Sequence, residues 1–401
     1  MRRILALLLA LTLTGLTGHI AAEGMDQGVY ELARTHGFRM GAALSFFQLK
    51  DAAYLALLEK HFNSITPTNE MKAYSLLDQA GCKASADGMP VMNYWAADQM
   101  IAWAAEHGIG VRGHVLVWDA YMLDWYFHEG YDSSKPYAAP EVIAQRTESY
   151  ITQVITHFEE KFPGVVYCWD VVNEAVGDSA GEYRSDDPRH LRTLCSGNVN
   201  LFREHMGDDY VEKAFLYARN TVDALGADIR LYYNDYNAYF PEKAAAIREL
   251  ARSVNTYAQL PDGTPRQLMD GIGMQGYIGG YGTQSGCLEP GHLDLIREAI
   301  QEYAAMGMEV QITEMAVRNF DPAKSEQHAL YYADLFRVFC GLQSETGNPL
   351  CAVTIWGLTD YPKEPKGTYV YNLNSPYGGL VDEHLEYKDA FFQVYRVLQE
   401  P

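Results

Sequence analysis

Two glutamates that directly follow β-prone segments are the residues of this chain whose type and position suggest chemistry. Glu174 follows the apolar run Val165–Asn173, and Glu314 follows Glu309–Thr313. One such glutamate alone would more often be a salt-bridge partner or a rim charge. Two of them match the needs of glycosidic bond cleavage, in which one carboxylic acid protonates the leaving oxygen and a second carboxylate acts from the other side. A separation of roughly 5 to 5.5 Å would make the second group a nucleophile and retain the configuration.

The elements that must position these glutamates alternate between short strand-like runs and long amphipathic stretches. Eight strands are predicted: Phe38–Leu44, Ser64–Pro67, Gly110–Val117, Val165–Asn173, Asp228–Asn234, Gly271–Gly276, Glu309–Thr313 and Ala352–Trp356. Helix-period stretches lie between or after them: Ala97–His107, Pro140–Lys161, Tyr210–Leu225, Pro241–Tyr257, His292–Met306, Ser325–Leu342 and Tyr387–Leu398. Eight such units predict a (β/α)8 TIM barrel, an α/β fold. A doubly wound sheet is the alternative, but no glycine-rich phosphate fingerprint supports it.

A barrel of this kind gathers its functional side chains at the carboxyl ends of the strands. Glu174 then follows the fourth strand and Glu314 the seventh, almost opposite each other across the mouth. Most of the other predicted strands also end near polar or aromatic residues, which indicates a ligand-binding face at this end of the barrel.

Composition narrows the choice of ligand. The formal charge of −21 and a pI near 4.9 argue against nucleic acid or an anionic membrane surface as a partner, because both would be repelled at long range. The chain also contains 29 tyrosines and 12% aromatic residues. Aromatic faces can stack on sugar rings, although many of these side chains must serve the core.

The amino terminus predicts export. Residues 1–22 combine Arg2 and Arg3 with an apolar run and a small-residue end, as a signal peptide does, and the run is too short for a membrane-spanning helix. A permanent membrane anchor is the less favoured alternative. We expect a secreted or periplasmic monomer whose single catalytic domain occupies residues 25–400.

The six cysteines leave several possibilities open. Cys340 and Cys351 flank a predicted turn and could pair, whereas Cys168 fits a small core position. The sequence contains no CxxC pair and no clustered histidines that would indicate a metal site. We therefore expect neither a metal nor another cofactor.

Seven ordered motifs resemble glycoside hydrolase family 10, the retaining endo-xylanases, from about residue 30 to 395. They are Asn63–Lys72, Arg112–Trp118, Trp169–Glu174, Leu231–Asn237, Asp270–Gln275, Ile312–Glu314 and Trp356–Asp360. The resemblance implies that Glu174 is the acid/base, that Glu314 is the nucleophile and that xylan is the substrate. It further implies a sugar-binding role for Asn69, Lys72, His114, Trp118, Asn173, Tyr236, Gln275, Tyr277 and Trp356. Without the resemblance, Lys72 could be a rim cation and His114 a hydrogen-bonded core histidine. Trp118 and Trp356 could be core aromatics.

The chain departs from the family pattern where the second sugar from the cleaved bond should bind, subsite −2. Thr68 stands where the family has a glutamate, and Asp119 and Tyr121 replace a histidine and a glutamine. The family pattern places a second aromatic clamp in the eighth loop, but residues 361–367 contain no tryptophan. Two alternatives to an ordinary xylanase are therefore open. One is an enzyme that acts on a branched xylan or a hexose-containing β-glycoside, and the other is a non-catalytic carbohydrate-binding barrel.

A further departure concerns the partners of the nucleophile. Tyr277 and Ala316 stand where the family has a histidine and the aspartate that orients it. A phenol needs no carboxylate to fix its tautomer, so we predict that the Tyr277 hydroxyl donates directly to Glu314.

Overall fold

The computed structural model describes residues 25–195, 197–278, 291–342, 347–360 and 375–401. Within them, eight parallel strands form a closed barrel in which each strand pairs with the next and the last pairs with the first. The strands are β1 (Arg39–Leu44), β2 (Ser64–Pro67), β3 (Gly110–Gly113), β4 (Val166–Asn173), β5 (Arg230–Asp235), β6 (Gly271–Met274), β7 (Glu309–Val317) and β8 (Leu350–Ile355). The predicted single-domain TIM barrel is confirmed.

Helices surround the barrel, and the seven predicted ones are all present. The α-helices are α1 (Val29–Thr35), α2 (Ala52–His61), α3 (Ala73–Leu76), α4 (Gln79–Ala84), α5 (Trp95–Glu106), α6 (Pro140–Lys161), α7 (Leu201–Met206), α8 (Tyr210–Leu225), α9 (Pro241–Thr256), α10 (Gly291–Ala304), α11 (Ser325–Cys340) and α12 (Asp389–Gln399). Short 3-10 helices span Phe46–Lys50, Asp119–Tyr121, Asp124–Phe127, Glu129–Tyr131 and Pro322–Lys324. The longest helix, α6, begins with a proline at its first turn and buries Tyr150, Val154 and Phe158, which recur at helical spacing.

The third and seventh strands differ most from their predicted bounds, by four residues each, whereas the other strands agree to within two residues at either end. The third ends at Gly113 rather than Val117, and strand-like hydrogen bonding resumes where Leu116 donates to the carbonyl of Asp170 at 3.1 Å. The seventh continues to Val317 because Ala316 and Val317 pair with the short segment Tyr277–Ile278. Glu314 therefore lies inside β7, at a register shift between Ile312 and Met315, and not at the end of the strand.

Buried polar groups inside the barrel fix the direction of β3. Arg112 is fully buried, forms an ion pair with Asp170 and donates from Nε to Gln311 at 2.8 Å. Burial would raise the pKa of Asp170, but the charges and hydrogen bonds of Arg112 and His114 together outweigh it, and the pKa is lowered. Gly113 has no side chain because any Cβ there would collide with the ring of Trp169. With Arg112 and Gly113 fixed in this way, the next residue, His114, faces the mouth of the barrel.

Five of the six cysteines lie within the described residues. Cys340 and Cys351 carry free thiols, so the possible pairing between them is wrong, whereas Cys168 is buried in β4 as predicted. Cys287 and the signal peptide at residues 1–22 lie outside the described residues. In the part of the chain that the structure describes, no helix has the length and apolarity needed to cross a membrane, and no cluster of His, Cys, Asp or Glu could hold a metal ion.

Candidate active site

Glu174 is held in an unusual backbone conformation directly after β4. Its φ is +55°, in the left-handed region that non-glycine residues rarely adopt. Three hydrogen bonds hold this turn: Glu174 N donates to the carbonyl of Asn234 at 2.9 Å, Arg192 Nε donates to the carbonyl of Glu174 at 2.9 Å, and Val176 N donates to Tyr233 Oη at 2.9 Å. The neighbouring elements therefore fix the position of the Glu174 carboxyl.

Both carboxylate oxygens of Glu314 accept a hydrogen bond. Asn234 Nδ2 donates to Oε1 at 2.9 Å, and Tyr277 Oη donates to Oε2 at 2.5 Å. His114 Nε2 lies 4.0 Å from Oε1. The predicted hydrogen bond between Tyr277 and Glu314 is confirmed. Asn234 was not singled out as a site residue from the sequence, although its position at the end of a strand was a signal.

A chain of amide groups links the two glutamates. Gln275 Nε2 donates to Glu174 Oε1 at 2.9 Å and to Asn173 Oδ1 at 3.3 Å. The same Asn173 oxygen accepts from Asn234 Nδ2 at 2.9 Å, and Asn234 contacts Glu314. These bonds fix which end of the Asn173 amide is oxygen, so Nδ2 is the end left for a further partner. That nitrogen is buried and has no partner among the described residues, as a donor to a ligand hydroxyl would be.

The electrostatic surroundings of Glu174 favour its protonated form. Burial raises the pKa of Glu174 to about 7, with the negative charges of Asp235 and Glu314 adding to the effect and Gln275 and Lys243 opposing it. Asp235 is itself fully buried, forms an ion pair with Lys243 at 2.9 Å and accepts a hydrogen bond from Tyr233 Oη. Glu174 therefore keeps its proton to a higher pH than an ordinary glutamate, as a general acid must.

Four of the predicted binding residues surround this pair. His114 Nδ1 lies 2.9 Å from Asp170 Oδ2, and the rings of Trp118 and Trp356 each lie 6.0 Å from the His114 ring. Lys72 is buried with its Nζ 5.0 Å from the Trp118 ring, and burial lowers its pKa against the opposing charges of Glu314, Glu174 and Glu70. The cleft thus combines flat apolar faces with donors, a combination that suits sugar rings and their hydroxyls.

Two other predicted residues have different surroundings. Asn69 is exposed, and its Oδ1 accepts a hydrogen bond from Lys72 Nζ at 3.2 Å. Tyr236 is half-buried, its Oη accepts from Arg192 at 2.5 Å, and its ring is covered by Lys243 at 3.8 Å. No described contact joins Tyr236 directly to either glutamate, so its sugar-binding role stays a prediction.

The departures around the second strand and third loop form a distinct wall of the cleft. Thr68 is 6% exposed, and its Oγ1 has no partner among the described residues. Asp119 turns away, because its Oδ1 accepts from Leu201 N at 2.7 Å. Tyr121 instead lies over Trp118, with ring centroids 4.3 Å apart, and Tyr74 lies 5.6 Å from Tyr121. Residues 361–374, where a second aromatic was expected, lie outside the described ranges.

Comparison with known proteins agrees with this geometry. The model of glycosyl hydrolase family 10 matches residues 28–397. The chain belongs to this family. An endo-1,4-β-xylanase from Geobacillus stearothermophilus is 32% identical over 379 residues, which is 90% of this chain and 96% of that protein. Endo-1,4-β-xylanase B from Butyrivibrio fibrisolvens is 29% identical over 364 residues, which is 90% of this chain and 51% of the relative.

Among solved structures of family 10, the N-terminal modules of a Clostridium thermocellum endo-1,4-β-D-xylanase complexed with xylohexaose are similar to this chain. The TM-score is 0.75 and the sequence identity 28%, covering 90% of this chain and 66% of the other. The resemblance drawn from the seven motifs is therefore confirmed at the level of family and fold. This family 10 chain is a glycoside hydrolase.

Proposed function

We propose that the chain is a retaining endo-1,4-β-xylanase, with Glu174 as general acid/base and Glu314 as nucleophile. The observation that supports this most directly is the amide chain Gln275–Asn173–Asn234, which connects one oxygen of each glutamate. It joins a buried carboxyl whose pKa is raised to a carboxylate that accepts two hydrogen bonds. That is the pair that double displacement at an anomeric carbon requires.

In the first step, the Glu314 carboxylate attacks the anomeric carbon and forms a covalent glycosyl ester. Glu174 transfers its proton to the departing glycosidic oxygen as the bond breaks. Asn234 and Tyr277 orient the attacking carboxylate from both of its oxygens. Loss of the proton leaves Glu174 negative beside Asp235, and the nearby Lys243 offsets part of that charge.

In the second step, the ionised Glu174 takes a proton from water, which attacks the same anomeric carbon and displaces Glu314. Glu174 is then protonated and Glu314 ionised again, so the enzyme returns to its starting state. Two inversions give net retention of configuration.

Recognition of the sugar at the cleavage site is proposed for the residues around the pair. Asn173 Nδ2 is the proposed donor to the hydroxyl beside the anomeric carbon, since its other end is fixed and it is buried without a partner in the described part of the chain. Lys72, His114 and Gln275 supply further polar contacts. Trp118 and Trp356 supply apolar faces for the ring, while Asn69 contributes through Lys72.

A second candidate substrate is a branched xylan or a hexose-containing β-glycoside. The observation that favours it is Thr68, a buried neutral residue where the family has a carboxylate, together with the ring of Tyr121, which is tilted against that of Trp118 after the third strand. A neutral hydroxyl cannot select sugar hydroxyls as a charged acceptor does.

We also propose export of the protein, on the basis of the pattern in residues 1–22.

The test uses the purified enzyme with xylohexaose, xylotriose, linear xylan, glucuronoxylan and cellohexaose. A retaining endo-xylanase releases internal fragments from xylohexaose, and proton NMR shows the β-anomer first. Faster cleavage of cellohexaose or glucuronoxylan than of linear xylan would favour the second candidate. Binding of xylohexaose without cleavage would instead indicate a non-catalytic barrel and contradict the proposal.

A further inference from the structure

Large exposed hydrophobic side chains are concentrated in loops at the active-site end of the barrel. Nine are exposed in the described residues, and four of them, Phe47, Tyr74, Trp95 and Tyr121, belong to loops or helix starts between β1 and the segment after β3. Tyr74 and Tyr121 already belong to the cleft wall. Phe47 and Trp95 are more exposed than any of the others, at 58% and 63%. Single exposed hydrophobics are ordinary, but a group of aromatic side chains marks an interaction site.

Phe46, Phe47 and Trp95 form one group, here named the outer aromatic cluster. The Phe46 ring lies 5.1 Å from that of Trp95 and 5.9 Å from that of Phe47. Phe46 is partly buried against the core, so it anchors the other two rings without covering them. Packing within the core therefore does not account for the positions of Phe47 and Trp95.

A short series of contacts connects the outer cluster to the catalytic cleft. Phe46 N donates to Glu70 Oε1 at 2.8 Å, and the other oxygen of Glu70 accepts from Asn69 N at 3.0 Å. Asn69 Oδ1 in turn accepts from Lys72 Nζ, which lies beside Trp118 in the cleft. The cluster thus continues the wall on which the first sugars are proposed to bind, on the side of β1 and β2.

The polar groups around Trp95 fit a carbohydrate. Asn93 and Gln99 are exposed amides held against the backbone of Trp95: Trp95 N donates to Asn93 Oδ1 at 3.0 Å, and Gln99 Nε2 donates to the carbonyl of Trp95 at 3.0 Å. Each amide has a second polar atom with which to meet a hydroxyl. An aromatic face beside amides recognises a neutral sugar, and the negative charge of the protein disfavours an acidic one.

We propose that the outer aromatic cluster is a distal subsite that binds a β-1,4-linked neutral sugar chain several residues from the cleaved bond. This proposal rests on the proposed function, because the occupant is the far end of the same substrate. The site contributes to binding only when the substrate is long enough to reach from Glu314 to Trp95. Short substrates are cleaved without its help.

The experiment compares Trp95→Ala and Phe47→Ala with the wild type on p-nitrophenyl β-xylobioside and on xylohexaose. We expect kcat/KM for xylohexaose to fall by about threefold to tenfold, mostly through KM, and kcat/KM for the aryl glycoside to stay unchanged. Leu260→Ala is the matched control, since Leu260 is 43% exposed but lies between α9 and β6, at the opposite end of the barrel. This control variant should leave kcat/KM unchanged for both substrates.

Three outcomes overturn the subsite. The first is equal kcat/KM of variants and wild type on xylohexaose, and the second is an equal fall on both substrates. The third is a fall confined to insoluble xylan, which would indicate a separate surface site. If the wild type cleaves neither substrate, the proposed function fails, and retardation of each protein by soluble xylan in a native gel then decides the cluster: weaker retardation of Trp95→Ala supports it, and equal retardation rejects it.

Discussion

The floor of the cleft and its aromatic wall are built in different ways. On the floor, Glu174 and Glu314 are fixed by hydrogen bonds from Gln275, Asn234 and Tyr277. On the wall, Thr68 Oγ1 and Trp118 Nε1 have no described partner, and Tyr74 and Tyr121 are exposed. The protein orders the reacting groups before a substrate arrives, whereas it leaves recognition groups for the substrate to satisfy. Changes to the floor should therefore reduce turnover, and changes to the wall should alter KM and substrate choice.

The largest effect is expected from Glu314→Gln on the floor. The amide keeps the shape but cannot form the glycosyl ester, so kcat should fall by about 10⁴-fold or more while xylohexaose still binds. Steady-state kinetics and calorimetric binding measure the two parts. Wild-type turnover by this variant, with an unchanged thermal unfolding midpoint, would show that Glu314 is not the nucleophile.

A smaller loss is expected from Tyr277→Phe. The variant removes one hydrogen bond to a charged oxygen, so kcat should fall by roughly 10-fold to 100-fold with KM changed little. Tyr74→Phe is the matched control on the wall, and it should stay within about twofold of the wild type. If both phenylalanine variants behave alike, the hydrogen bond to Glu314 has no special role in turnover.

The pH dependence tests the charge around Glu174. The pKa of this acid is raised, to about 7, so its proton is present below that pH and kcat/KM should fall as the pH rises through about 7. Asp235→Asn removes a neighbouring negative charge, which lowers the pKa of Glu174 and moves the alkaline limb to lower pH. Asp178→Asn also removes a partner of Lys243, but Asp178 is not among the charges that raise the pKa of Glu174. An equal shift in both variants would contradict the assignment to Asp235.

The smallest effect is expected from Thr68→Glu on the wall. Restoring the carboxylate typical of the family should increase the ratio of kcat/KM for aryl β-xylobioside to that for aryl β-cellobioside by about threefold to tenfold. Turnover of the better substrate should change little, because no hydrogen bond in the described residues joins Thr68 to either glutamate. A loss of kcat without a change in this ratio would assign Thr68 to the catalytic floor. It would contradict the proposed distinction between the floor and the wall.

Much of the barrel could be predicted from the sequence because its signals are local. Alternating apolar runs and amphipathic stretches place all eight strands, and Pro140 and Pro241 mark the starts of α6 and α9. The strand order follows from the alternation, since sequential parallel strands joined by helices lie side by side.

The finer site could not be predicted in the same way because it depends on register and side-chain direction. The double hydrogen bond of Asn234 requires β4, β5 and β7 to align. The hydrogen bond from Phe46 N to Glu70 depends on the loop after β1. The extension of β7 past Glu314 depends on pairing with Tyr277 and Ile278, which are distant in sequence. The Tyr277 contact was predictable because the paired loss of His and Asp was a chemical signal.

The ring of Trp169 fills the space beside Gly113, and this contact constrains how the chain can evolve. Any side chain at residue 113 would meet the ring of Trp169, and that contact lies directly before His114 on one strand and Asp170 on the next. A drift to alanine at 113 would therefore have to be accompanied by a smaller residue at 169. Among descendants of this sequence, the two positions should covary, and a library that randomises only one of them should return the starting residue.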